Sequence, residues 1–89
     1  MSHRVIVYAT KTCPYCEKAK SLLDRKKVGY TVIDISDNPT LALEMTQKSG
    51  GRRTVPQIFI DGKCIGGFDD LNRLNDSAQL DKILTGNAE

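Results

Sequence analysis

The stretch at residues 5–16, VIVYATKTCPYC, decides the fold. Its apolar run Val5–Ala9 is typical of a β-strand that is covered on both faces of a sheet. A polar bend at residues 10–12 follows, and the tetrapeptide CPYC at residues 13–16 opens a segment of helical character. Two cysteines three positions apart at a strand-to-helix turn have the spacing of a redox-active dithiol. The stretch therefore predicts an α/β protein with its chemistry at the end of the first strand.

The two cysteines differ in their predicted surroundings. Pro14 suits the first position of a helix, which places Cys13 at or next to the N-cap. Unpaired backbone N–H groups and the helix dipole at that end favour the thiolate form. Cys16 instead begins an apolar stripe that continues at helical spacing through Ala19 and Leu23, so it faces inward. We predict that Cys13 is the nucleophile and Cys16 the resolving thiol. Two buried cysteines, or half of a metal site, are the alternatives.

The composition is typical of a small soluble domain and excludes several classes of protein. The 89 residues are 39% apolar and 27% charged, with a formal net charge of +2 that is too weak to indicate nucleic-acid binding. There is no apolar stretch of about 18 residues, so we expect no membrane span. The N-terminus lacks the pattern of a secretory signal, and three cysteines suit a reducing compartment. We expect one domain over residues 1–89, located in the cytoplasm.

The rest of the chain predicts the element order βαβαββαα, with the first two strands parallel across a helical crossover. Asp37-Asn38-Pro39 offers an Asx cap and a proline for the second helix. Asp61-Gly62 is a tight hairpin turn, and Ser77 can cap the last helix. The predicted strands are residues 5–9, 30–35, 55–60 and 63–65, and the first and third helices are residues 14–27 and 69–75.

Two loops would approach the dithiol if this sheet closes. Proline cannot sit centrally in a sheet ladder, so the TVP segment at residues 54–56 marks the beginning of a strand. Spacing alone does not distinguish a cis from a trans bond before Pro56. The glycine pair at residues 66–67 lets the backbone come close, and the helix beginning near Asp69 could bind a carboxylate through its N–H groups. Alternatively, Asp69 and Asp70 serve only as caps and dipole partners.

Basic side chains and a third cysteine complete the candidates. Lys11 lies just before the dithiol, and Arg52 and Arg53 come just before the TVP segment. Positive charge there would favour a thiolate and a small anionic substrate, whereas solvated surface positions are the alternative for all three. Cys64 lies on a predicted strand, where a small, semi-buried apolar side chain is a simpler interpretation than a third catalytic thiol.

Three stretches together resemble the glutaredoxin family, specifically its short dithiol members. They are KTCPYC at residues 11–16, TVPQIFI at residues 54–60 and GGFDDL at residues 66–71. The resemblance extends over residues 4–85, with the three motifs in the family's order. It implies a thioredoxin-like α/β fold, whose four-stranded mixed sheet has its first two strands parallel and its last two antiparallel. It also implies a cis peptide bond at Pro56, beside the dithiol.

The resemblance implies a glutathione-dependent thiol-disulfide oxidoreductase. Its substrates would be glutathione mixed disulfides and disulfide-containing proteins, with glutathione as co-substrate, regenerated by glutathione reductase and NADPH. We expect a monomer with no bound cofactor or metal and no nucleic-acid or membrane partner. The residues carried over from the motifs are Cys13 and Cys16 in catalysis, with Lys11, Tyr15, Thr54, Val55, Pro56, Gly67, Asp69 and Asp70 in glutathione binding.

The same resemblance assigns parts of glutathione to parts of this site. The helix end at Asp69 and the Asp70 carboxylate receive the γ-glutamyl group, and Lys11 receives the glycine carboxylate. Tyr15 and the backbone of residues 54–55 flank the glutathionyl moiety. One departure from the family pattern is the glycine pair at residues 50–51, where the family usually carries one glycine, which predicts a looser loop.

Two other functions stay open on the sequence. A thioredoxin-type reductant fed by a flavoprotein reductase is matched less well, because the motif is CPYC and the first strand carries no acid. A metal or iron–sulfur carrier would use Cys13 as a ligand. A zinc site formed by Cys13, Cys16, Cys64 and His3 lacks knuckle-like spacing.

Overall fold

Four strands and four helices follow one another in the predicted order in the computed structural model, which describes residues 4–84. The strands are β1 (Val5–Ala9), β2 (Thr31–Asp34), β3 (Gln57–Ile60) and β4 (Lys63–Gly66). The helices are α1 (Pro14–Arg25), α2 (Pro39–Lys48), α3 (Phe68–Asp76) and α4 (Gln79–Leu84). No helix within residues 4–84 has both the length and the apolar character that crossing a bilayer requires.

The sheet places β1, and with it the dithiol, near the middle of the molecule. Its strand order is β2-β1-β3-β4, with β1 parallel to β2 and antiparallel to β3, and β3 antiparallel to β4. Val7 pairs with Val32 on one side and with Ile58 on the other. The predicted mixed sheet, with a parallel first pair and an antiparallel last pair, is confirmed.

Side-chain alternation along β1 divides the core into two layers. Val7 and the residues two positions on either side of it pack with Leu22 of α1 and Leu71 of α3. Tyr8 belongs to the second layer, with Met45 of α2 and Phe59 of β3. Both faces of β1 are therefore covered, as its continuous apolar run predicts.

Some element ends differ from the prediction by one or two residues. α1 ends at Arg25 rather than residue 27, because the chain turns at Lys27, whose φ is 59°. β3 begins at Gln57 rather than residue 55, since the two preceding residues lie beside the dithiol and outside the ladder. The hairpin turn at Asp61 and Gly62 is confirmed, with φ values of 52° and 84°.

The prediction that Ser77 caps the last helix is wrong. Ser77 is the C-cap of α3, and its hydroxyl donates to the Leu74 carbonyl at 3.2 Å. The chain reverses at Ala78, where φ is 64°, and α4 begins at Gln79. A serine hydroxyl can accept from a free N–H group at the start of a helix or donate to a free carbonyl at its end. Here it donates to a carbonyl at the end of α3.

Candidate active site

Cys13 is the N-cap of α1. Its backbone is extended, with φ −143° and ψ 102°, and Pro14 occupies the first helical position, as predicted. The Cys13 sulfur accepts a hydrogen bond from the backbone N–H of Cys16 at 3.2 Å. This N–H group and the positive end of the α1 dipole both favour negative charge on the sulfur. The side chain is only partly buried, so a substrate can reach it.

Cys16 lies one helical turn further on and is fully buried in the layer between the sheet and α1. Burial raises the pKa of the Cys16 thiol from an ordinary value of 9.0 to about 12, and its hydrogen bonding with Cys13 acts in the same direction. Cys16 is therefore a neutral thiol near pH 7. The inward orientation that the apolar stripe predicts is confirmed.

The TVP segment runs beside the dithiol. The bond between Val55 and Pro56 is cis, as the resemblance implies. The carbonyl oxygen of Val55 lies 3.8 Å from the Cys13 sulfur. Thr54 is exposed, Val55 is half-buried and packs against both core layers, and Pro56 is buried. The segment therefore presents its backbone to Cys13 while its apolar side chains hold it against the core.

The start of α3 forms the other side of the site. Gly67 is the N-cap, and its N–H donates to the Asp70 carboxylate at 3.1 Å. The same carboxylate oxygen accepts from the Arg52 guanidinium at 3.2 Å, and Arg73 lies 3.5 Å from the other oxygen. Asp70 is 30% exposed and engaged on both oxygens. It is both a helix cap and an ion-pair partner.

Gly66 permits this close arrangement. Its φ is 117°, a conformation that side chains rarely adopt, and a Cβ atom there would clash with the Asp70 carboxylate and the Arg52 guanidinium. The prediction that the glycine pair lets the backbone come close is therefore confirmed at Gly66.

These segments enclose a cleft of about 260 Å³. It is lined by Tyr15, Arg52, Thr54, Val55, Pro56, Gln57, Gly67, Phe68, Asp69 and Asp70. Seven of the eight residues predicted to bind glutathione therefore share one cleft, and Lys11 is the exception. Whether these seven bind glutathione stays a prediction.

Tyr15 forms the rim of the cleft. Its side chain is 55% exposed, and its ring centroid lies 6.2 Å from that of Phe68. The ammonium group of Lys18 lies 5.0 Å above the Tyr15 ring, within cation–π range. The ring therefore has an aromatic and a cationic neighbour and is still more than half exposed.

Lys11 lies in the loop before Cys13, and its backbone is anchored to the end of β2. Its N–H donates to the Ser36 hydroxyl at 2.9 Å, and the Ser36 N–H donates to the Asp34 carboxylate at 2.8 Å. The hydrogen bonds from Ser36 lower the pKa of Asp34 below its ordinary value. The predicted contact between the Lys11 ammonium and a glycine carboxylate stays a prediction.

The glycine pair at residues 50–51 ends α2 in a hydrogen-bonded turn. Both glycines have positive φ, 79° and 106°, and the Gly51 N–H donates to the Thr46 carbonyl at 2.8 Å. The Ser49 hydroxyl accepts the N–H of Arg52 at 3.1 Å. The extra residue is thus accommodated by backbone conformation, and the turn leads Arg52 into the cleft.

Comparisons with known proteins place this chain in a family. A family model described as Glutaredoxin matches residues 5–65. Glutaredoxin 1 of Rickettsia typhi is 49% identical over 83 residues, which span 92% of this chain and 80% of that protein. Glutaredoxin 3 of Escherichia coli K12 is 48% identical over 80 residues, which span 90% of this chain and 95% of that protein. The chain belongs to the glutaredoxin family.

Solved glutaredoxin structures share the fold. The buckwheat glutaredoxin–glutathione complex superposes with a TM-score of 0.85 at 32% identity, covering 93% of this chain and 77% of that one. The solution structure of glutaredoxin from Brucella melitensis gives a TM-score of 0.82 at 47% identity, covering 93% and 89%. The thioredoxin-like fold is confirmed, and the family assignment makes the protein a thiol-disulfide oxidoreductase.

Two cleft residues, Gln57 and Phe68, have no role assigned from the sequence, and Arg52 has only the general electrostatic role that it shares with Arg53. Arg52 is recognisable only as one of two adjacent arginines, and Arg53 does not line the cleft. A signal for Gln57 exists, because it is the one polar residue in the otherwise apolar strand β3. A signal for Phe68 also exists, because it is an apolar residue directly after the glycine pair at residues 66–67.

The structure shows where three of the four residues of the alternative zinc site lie. No group of three His, Cys, Asp or Glu side chains within residues 4–84 is arranged to hold a metal ion. Cys13 and Cys16 belong to the α1 layer, whereas Cys64 packs in the layer that contains Met45. His3, the fourth residue of that alternative, lies outside the described part of the chain.

Proposed function

We propose that this glutaredoxin is glutathione-dependent and removes glutathione from mixed disulfides. The observation that carries the proposal is the cleft between the dithiol and α3: the Val55 carbonyl in its wall lies 3.8 Å from the Cys13 sulfur, and the Arg52–Asp70 pair also lines it. Glutathione has a central thiol and ends that carry two carboxylates and one ammonium group. A nucleophile beside groups of both charges suits such a ligand. A glutathione complex of the buckwheat relative supports the proposal.

The proposed reaction needs one thiolate on the protein. The Cys13 thiolate attacks the glutathione sulfur of a mixed disulfide, forming a disulfide between Cys13 and glutathione and releasing the substrate thiolate, which takes a proton from water. A second glutathione thiolate then attacks the glutathione sulfur bound to Cys13. This step releases glutathione disulfide and restores the Cys13 thiolate, and glutathione reductase returns the electrons from NADPH.

The roles proposed for the cleft follow from charge and reach. The γ-glutamyl carboxylate meets the N–H groups at the start of α3 near Asp69, and the γ-glutamyl ammonium meets Asp70. The backbone of residues 54–55 and the Tyr15 ring flank the glutathionyl moiety. Lys11, which does not line the cleft, receives the glycine carboxylate.

Protein disulfides are the proposed second class of substrate. Attack by Cys13 leaves a mixed disulfide between enzyme and protein, and Cys16, one turn below, then displaces the protein thiol by forming the Cys13–Cys16 disulfide. We further propose that the chain acts as one monomeric domain in the cytoplasm, where glutathione keeps thiols reduced.

Turnover of a glutathionylated peptide, coupled to glutathione reductase and NADPH, tests the proposal. NADPH oxidation should depend on both the peptide and this protein, and the Cys13→Ser variant should give only the background rate. If glutathione supports no turnover while a flavoprotein thioredoxin reductase does, the glutathione proposal is wrong and the thioredoxin-type alternative is right.

A further inference from the structure

Gln57, the first residue of β3, has a fully buried polar side chain, and its hydrogen-bond partners indicate a structural role beside the cleft. Burying an amide without hydrogen-bond partners is strongly unfavourable. Within residues 4–84, Gln57 is the one buried residue of polar or charged type. It also lines the cleft, so it connects the core with the ligand side of the molecule.

Both ends of the Gln57 amide are engaged. Its nitrogen donates to the carbonyl oxygen of Thr54 at 2.9 Å and lies 3.3 Å from the Thr54 hydroxyl oxygen. Its oxygen accepts from the Cys64 thiol at 3.9 Å. Since a backbone carbonyl can only accept and a thiol can donate, these partners fix which end of the amide is which.

The bond to Thr54 holds the wall of the cleft from behind. It connects the first residue of a central strand to the residue that begins the TVP segment, so residues 54–57 form a closed turn. Thr54 itself is exposed, and the next residue, Val55, carries the carbonyl that lies 3.8 Å from the Cys13 sulfur. Without the Gln57 amide, the Thr54 carbonyl would lose its hydrogen bond to a side chain.

We propose that Gln57 is a positioning residue that fixes the backbone of Thr54 and Val55 and thereby sets the preference for glutathionyl over other small-thiol disulfides. The inference rests on the proposed function, because it assumes that this backbone flanks the glutathionyl moiety. Gln57 touches no reacting atom. Its effect is confined to substrates whose thiol-side group is large enough to contact residues 54–55.

The test compares two mixed disulfides of one peptide, carrying either glutathione or a hydroxyethyl thiol. In both, Cys13 attacks the small-thiol sulfur, the peptide thiol leaves, and glutathione clears Cys13. Gln57→Met keeps length and packing but removes the amide. We expect the KM for the glutathionyl peptide to rise about 5- to 30-fold with kcat within about twofold, since a binding interaction is lost. The hydroxyethyl peptide should react within about twofold of wild type.

The control is Gln79→Met, the same exchange at an exposed position of α4, which should leave both substrates unchanged. An equal loss on both peptides would show that Gln57 is only structural, and no loss on either would also overturn the inference. If wild type shows no preference for the glutathionyl peptide, the proposed function fails, whatever Gln57 does.

A measurement on the unmodified side chain covers the case in which Gln57→Met does not fold. The side-chain amide protons of Gln57 should exchange slowly with solvent, and their NMR signals should shift when the Cys16→Ser protein carries glutathione on Cys13. Modification of Cys13 with a hydroxyethyl group should shift them less. Amide protons that exchange as fast as those of Gln79 would contradict the positioning role.

Discussion

The sulfur of Cys13 accepts a hydrogen bond at 3.2 Å from the backbone N–H of Cys16, yet the two side chains occupy opposite environments. Cys13 is partly exposed at the cap of α1, and Cys16 is fully buried beneath it. One turn of helix thus separates a thiol that can meet substrate from a thiol that can meet only Cys13. This relationship suits attack followed by internal resolution.

The cysteine variants should separate the two proposed reactions. Cys13→Ser should abolish both deglutathionylation and protein-disulfide reduction, because a serine hydroxyl is not ionised at neutral pH and Cys16 is inaccessible. Cys16→Ser should retain deglutathionylation and lose most reduction of a protein disulfide, since nothing resolves the enzyme–protein disulfide. Rates on a glutathionylated peptide and on a disulfide-containing protein measure both effects.

Cys64→Ser is the control for the cysteine variants, because a hydroxyl at residue 64 can still donate to Gln57 and should leave both rates largely intact. If Cys16→Ser were as inactive as Cys13→Ser on the glutathionylated peptide, the assignment of attacking and resolving thiols would be wrong.

Asp70→Ala should affect both stability and activity. Loss of a charged contact to the γ-glutamyl ammonium should cost about 1–3 kcal/mol of binding free energy. This loss should lower kcat/KM on a glutathionylated peptide roughly 5- to 150-fold. Loss of the Gly67 N–H and Arg52 partners should also cost about 1 kcal/mol of unfolding free energy. Steady-state kinetics and urea unfolding separate the two effects.

Asp76→Ala, at the far end of the same helix, is the matched control for Asp70 and should not lower kcat/KM. Should Asp70→Ala lose stability with an unchanged kcat/KM, Asp70 would be a helix cap and not a ligand-binding residue.

Gly66→Ala should disturb the cleft as well as the backbone. A positive φ of 117° and a clash with Asp70 and Arg52 predict a loss of about 1–3 kcal/mol in unfolding free energy, together with lower kcat/KM. Gly62→Ala has the same kind of backbone strain, with φ 84°, but no atom within 4 Å of the added Cβ. It should therefore lose stability with kcat/KM unchanged, and equal kinetics for the two variants would contradict the predicted role of Gly66.

Stability should fall at alkaline pH. Burial raises the pKa of Cys16 from 9.0 to about 12, and burial together with Glu44 raises the pKa of Tyr8 from 10.0 to about 12. Both groups hold their protons more tightly in the folded state, so their contribution is complete below about pH 9 and declines as pH rises toward about 12. In that range, the titration of each group can lower the free energy of unfolding by up to about 1.4 kcal/mol per pH unit.

Urea unfolding between neutral pH and about pH 11 measures this decline. Cys16→Ser should flatten it from about pH 9 upward, and Tyr8→Phe should flatten it only above about pH 10, because neither new side chain ionises there. A decline of unchanged slope in both variants would show that other groups control alkaline stability.

The sequence by itself determined the fold class, the start of α1 and the different surroundings of the two dithiol cysteines. The last two of these features are local. Pro14 fits only the first turn of a helix, so it fixes where α1 begins. The apolar stripe from Cys16 through Ala19 to Leu23 faces inward, which leaves Cys13 at the open end of the helix. Chain neighbours alone impose such constraints, so spacing suffices to predict them.

The tertiary structure decided which groups meet across the cleft. Arg52 pairs with Asp70 across 18 positions, and the Val55 carbonyl approaches Cys13 across 42. The sequence contains two adjacent arginines, Arg52 and Arg53, and does not distinguish which of them lines the cleft. The turn that ends α2 and the absence of a side chain at Gly66 leave space beside Asp70 for Arg52. Spacing along the chain does not encode such contacts, because they depend on how closely the two loops pack once the sheet has formed.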